Sequence, residues 1–80
     1  MDEITTDIIV RIEVFHEDVA HTAGLLRAAS DAAYSAGDSQ RGLRLRVAAR
    51  EVARNFRDVD VDEIDARSAD LRKIRGELLK

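Results

Sequence analysis

Cysteine and proline are both absent from this 80-residue chain, glycine occurs four times, and aromatic residues make up 4% of it. Without cysteine there is no disulfide and no thiolate metal site, and a reducing, cytoplasmic setting is the expectation. Without proline, a helix can run until a glycine or a capping Ser or Asp stops it. Scarce aromatics leave few rings on which nucleic-acid bases could stack. No run of about 18 apolar residues is present, so no membrane span is expected. Asp2 and Glu3 stand where an export signal would carry positive charge.

Hydrophobic residues make up 45% of the chain and charged residues 36%, a balance too apolar for disorder. One domain over residues 1–80 is expected, and a domain this small buries a modest core. With disulfides excluded, self-association is the remaining way to enlarge that core. The net charge of −3 is unevenly spread. Residues 1–40 hold eight acids against Arg11 and Arg27, whereas residues 41–57 hold Arg41, Arg44, Arg46, Arg50, Arg54 and Arg57 against Glu51 alone. Packing of an acidic helix against a basic one would offset both.

Ile4, Ile8, Ile12, Phe15, Val19, Thr22, Leu26, Ala29 and Ala33 advance by three or four, which predicts one long helix over about 4–36. Gly37 is placed to end it, and Asp38 or Ser39 to cap the next. A second helix over about 39–57 carries Leu45, Ala48, Ala49, Val52, Ala53 and Phe56 on one side. Asp60 and Glu63 have capping-box spacing, so a third helix is expected over about 61–79, with Ile64, Leu71, Ile74 and Leu78 inward. The fold class is therefore all-α, a three-helix bundle or helical hairpin. The alternative is a short strand within residues 8–15, giving an α+β fold, because Ile8, Ile9, Val10, Ile12 and Val14 are all β-branched.

If that stretch is helical it is apolar on two sides, Ile8, Ile12 and Phe15 on one and Ile9, Val10 and Val14 on the other. At about 1.5 Å per residue the first helix spans roughly 48 Å and the other two about 28 Å each. Its isoleucine-rich front then lacks a lid, unless the acidic linker at residues 58–62 lets the third helix run along it. A homodimer with Ile4, Ile8, Ile12 and Phe15 in the seam would supply the cover.

Candidate chemistry is sparse. Glu13 and His16 have the Glu-x-x-His spacing of di-iron helical bundles, which makes Glu13, His16 and Glu17 the only metal candidates, weighed against a solvated face that happens to hold two histidines. No cofactor is expected. Arg46, Arg50, Arg54 and Arg57 form a ridge opposite Leu45, Val52 and Phe56, with Leu43 and Val47 beside it. Arginine forks suit phosphate or carboxylate, so this ridge could meet nucleic acid. The negative net charge and scarce aromatics favour pairing with the acidic first helix and Asp58, Asp60 and Asp62 instead, and with Leu43 and Val47 the ridge could also form a protein-binding face.

The order Arg11, Arg27, Arg50, Glu51 in a long-short-short helical pattern resembles the helical chorismate mutases, a resemblance that would imply a dicarboxylate held between arginines. No lysine precedes Lys73 and the single glutamine is Gln40, so the cationic centre and the last-helix glutamine of that family have no counterpart and no residue role is carried over. Residues 33–38 with Gly42 and Ala49 look like the turn of a tetratricopeptide-type hairpin, but no second copy follows. No residue demands catalysis. The expected function is a non-catalytic helical protein–protein interaction module that self-associates and binds a protein partner, with a small nucleic-acid-binding dimer as alternative and a metal-binding bundle as a third reading.

Overall fold

The computed structural model of the chain describes the backbone of residues 3–80 and the side chains of residues 6–80. It contains three α-helices: α1 (Glu3–Ser35), α2 (Ser39–Asn55) and α3 (Ile64–Leu78), the last entered through a single 3₁₀ turn at Val61–Glu63. The fold is all-α. Residues 8–15 lie within α1, so the β-branched run does not form a strand: three-four stepping that continues into the core at Val19 and Leu26 outweighs the local β preference.

The turn between α1 and α2 follows from Gly37 and Asp38. Gly37 adopts φ 83°, the left-handed conformation open to glycine at low cost. Its amide donates to the Tyr34 carbonyl at 3.0 Å and the Asp38 amide donates to the Ala33 carbonyl at 2.8 Å, the paired bonds of a Schellman motif. The Asp38 carboxylate then accepts from the Arg41 amide at 3.1 Å and caps α2. Asp38→Ala should lower stability by about 1 kcal/mol, and a denaturant midpoint unchanged from the parent would show the cap to be idle. The expected capping box at Asp60 does not form. Asp60 makes no side-chain cap bond, and its carbonyl instead accepts from the Glu63 amide at 2.9 Å, which tightens the first turn of the third helix into 3₁₀ geometry.

α2 returns antiparallel along the C-terminal two-thirds of α1. Near the turn the buried Ser30 hydroxyl donates to the Gly42 carbonyl at 2.6 Å, and at the far end Phe15 meets Phe56 with ring centroids 6.4 Å apart. α3 runs back parallel to α1, from Asp65 beside Arg11 to Leu78, whose carbonyl accepts from the Arg41 guanidinium. The core between them comprises Phe15, Val19, Ala23, Leu26 and Ala33 of α1, Leu45, Ala49 and Val52 of α2, Phe56, and Ile64 and Leu71 of α3. Among the described residues the buried polar ones are Thr22 and Ser30, and both are hydrogen-bonded.

Because α3 starts level with Arg11 and α2 ends level with Phe15, the first turns of α1 extend past both shorter helices. The molecule measures 54 × 19 × 17 Å with a radius of gyration of 14.8 Å, against about 12 Å for a compact chain of this length. The third helix does cover α1 from Arg11 onward, as the second of the two sequence readings allows, but not the residues ahead of it.

Candidate functional site

The four residues expected in a self-association seam separate in the structure. Phe15 is 3% exposed and packs on Phe56 inside the chain, so it has no surface to offer a second copy. Ile12 is half-buried and packs on the same core, and Ile8 is also half-buried. The side chain of Ile4 lies outside the described residues. The cause is simple: Ile12 and Phe15 continue the α1 stripe that forms the core with α2 and α3.

The other apolar side of α1 is the open one. Ile9, Val10 and Val14 are 46%, 50% and 59% exposed. Val10 and Val14 edge a groove of about 460 Å³ between α1 and the start of α3, completed by Phe15, Ile64, Ser68 and Arg72 and bridged by Arg11, whose guanidinium sits 3.3 Å from the Asp65 carboxylate. Glu13 and Glu17 are exposed beside the two valines.

On α2, Leu43 and Val47 are 57% and 45% exposed, and Arg46, Arg50, Arg54 and Arg57 are all exposed with them, Arg57 lying just past the helix end. The expected pairing of these arginines with the chain's own acids is not what the structure holds. Among the described residues the ion pairs are Arg11 with Asp65, Arg67 with Asp70 and Arg75 with Asp18, and none uses a residue of α2. The reason is geometric. α2 presents its small and aliphatic side to α1, which aims the arginines outward, while Asp18 on the α3 side of α1 is reached by Arg75 at 2.7 Å. That same Arg75 nitrogen donates to the buried Thr22 hydroxyl at 2.6 Å, a cross-helix tie that sequence spacing gave no sign of. Arg67 adds another: it lies 4.2 Å above the Phe56 ring and reaches the Asn55 carbonyl, fixing the start of α3 against the end of α2.

A second groove, of about 410 Å³, lies between α1 and α2 on the face away from α3. Its floor is Val19, Ala20, Ala23, Ala53 and Phe56, and His16, Arg27 and Arg57 stand at its rim. His16 therefore turns toward α2. Glu13, His16 and Glu17 are exposed, and among the described residues no three His, Asp or Glu side chains converge as metal ligands would. The arginines of the chorismate mutase resemblance are likewise dispersed, Arg11 on the α3 side and Arg27 and Arg50 elsewhere. No described helix is long and apolar enough to cross a membrane.

Compared with known proteins, the chain matches no family model, no curated protein and no solved structure.

Proposed function

We propose that this chain is a non-catalytic helical interaction module that self-associates and binds protein through exposed helix faces. The supporting observation is the pair of uncovered aliphatic edges, Val10 with Val14 on α1 and Leu43 with Val47 on α2, each 45–59% exposed and flanked by Glu13 and Glu17 or by Arg46 and Arg50, which form no ion pair among the described residues. Isolated exposed aliphatics are common, but two such pairs at four-residue spacing on a 54 Å rod are a helix-docking arrangement. The seam moves accordingly, from the Ile8, Ile12, Phe15 side of α1 to its Val10, Val14 side.

Val14→Asp tests the reading. An added charge on an exposed position leaves the fold intact but opposes burial against a partner, so self-association should weaken at least about tenfold while far-UV circular dichroism stays the same. Sedimentation velocity across a concentration series checks it, and a parent protein that is monomeric at every concentration would sink the self-association.

The unpaired arginines of α2 favour one second reading, contact with nucleic-acid phosphates. Affinity for duplex DNA would then fall steeply between two salt concentrations, and no binding at low salt would end that reading. Against it stand Leu43 and Val47, exposed beside the arginine ridge, and the lack of any aromatic residue within α2 itself.

A further inference from the structure

The two exposed faces carry one pattern with opposite signs. On α1, Val10 and Val14 are followed at three residues by Glu13 and Glu17; on α2, Leu43 and Val47 are followed at three residues by Arg46 and Arg50. Residues at i, i+3, i+4 and i+7 share one side of a helix, so each face is a strip with an aliphatic edge and a charged edge on the same flank. All eight side chains are exposed, and none of the charged ones forms an ion pair within the chain among the described residues.

We infer that the acidic strip of one copy docks on the basic strip of a second copy, with α1 antiparallel to the partner's α2. This rests on the protein-binding reading above and names the occupant of the α2 face. The orientation follows from the flanks. When two helices face each other antiparallel, matching flanks come together, which sets Glu13 and Glu17 against Arg46 and Arg50 of the next copy and lets the aliphatic edges meet. A parallel pairing would set each charged edge against the other's aliphatic edge and waste both. Charge complementarity selects the partner as well: two acidic strips repel, as do two basic ones.

A consequence for assembly comes from where the strips sit. The acidic strip lies near the free end of α1, and Leu43 and Val47 lie near the α1–α2 turn, at the opposite end of the rod. Within one chain α1 and α2 are antiparallel, so an antiparallel α1-to-α2 contact between copies leaves their α1 helices pointing the same way and staggered. The contact joins unlike faces and does not return on itself, so it continues head to tail as an open row in place of a closed dimer.

The experiment uses two variants of the full chain, each with one strip disabled at exposed positions: Val10→Asp with Val14→Asp, and Leu43→Asp with Val47→Asp. The parent should show a mass that keeps rising with concentration, each variant alone should be monomeric with unchanged circular dichroism, and an equimolar mixture should form a 1:1 pair through the one intact strip on each. As a second readout, Glu13→Arg with Glu17→Arg and Arg46→Glu with Arg50→Glu should each abolish association, and the two sets combined in one chain should restore it. Self-association of the parent that is unmoved by any of these changes, or variants that stay apart when mixed, would overturn the strip pairing while leaving the interaction module intact. A parent that never associates overturns the pairing and the self-association together.

Discussion

Replacing Leu71 with alanine should undock α3 and lower the melting temperature by at least about 12 °C. Leu71 is fully buried, and Ile64 is the one other α3 residue in the buried core, with Ile74, Leu78 and Leu79 only partly covered. A Leu→Ala change at such a site costs about 2–5 kcal/mol, and the upper half of that range applies where neighbours cannot close the void. Here the void would open inside the one continuous core that α1 and α2 share with α3, so little collapse is available. A domain of this length has about 4–12 kcal/mol in total, and each kcal/mol moves the midpoint by about 4–8 °C. What remains to hold α3 is Ile64 with the partly covered Ile74 and Leu78, and the polar ties of Arg75 to Asp18 and Thr22 and of Arg67 to Phe56. Both ion-pair partners of the first tie are 25–29% exposed, which discounts their worth. Hydrogen exchange should accordingly show the α3 amides losing protection before those of Ser39–Asn55. A melting temperature within about 3 °C of the parent would show that Leu71 is not what anchors the third helix.

Gly42→Ala should destabilise the molecule although alanine is the better helix former. In an open helical position the exchange gains about 1 kcal/mol. At residue 42 an added Cβ would stand 2.8 Å from the Tyr34 ring, a separation that forces the ring away, and the Gly42 carbonyl is tied to the buried Ser30 hydroxyl at 2.6 Å, which keeps the backbone from retreating. Overpacking of this kind costs about 1–3 kcal/mol, so the net should be a loss of up to about 2 kcal/mol. Tyr34→Ala removes the obstacle. In that background Gly42→Ala should instead stabilise, by up to about 1 kcal/mol, and the reversal of sign is what a double-mutant cycle reads. If Gly42→Ala costs the same in both backgrounds, the close approach of Tyr34 is not its cause.

These two residues differ in how far the sequence exposes them. Leu71 belongs to the stripe Ile64, Leu71, Ile74, Leu78 and is recognisable as core from periodicity. Gly42 looks like a liability in the first turn of α2 until the ring of Tyr34, eight residues back and on another helix, is seen to cross it. A helical period reports which side of an element is apolar. It carries no record of which neighbour crosses at which height. The same limit explains Phe15, which shares a stripe with Ile8 and Ile12 but is withdrawn into the chain by Phe56. Conversely, two apolar sides on residues 8–15 are legible as one side too many for a single chain to cover, and the uncovered one is Val10 with Val14.

Charge follows the same division. The acidic front and the arginine-rich second helix are plain from composition, and composition equally suggests that they neutralise each other. Among the described residues no ion pair joins them, because α2 meets α1 through Gly42, Leu45, Ala49 and Val52, and a helix that packs through one side turns its charges to the other. The sequence alone therefore determined the number of helices, where Gly37 and Asp38 stop one and start the next, and which residues are apolar or charged, since all of these are encoded within a few turns of local chain. Only tertiary packing decided which apolar side stays open and which charges lack partners, because both depend on the height and angle at which distant helices cross.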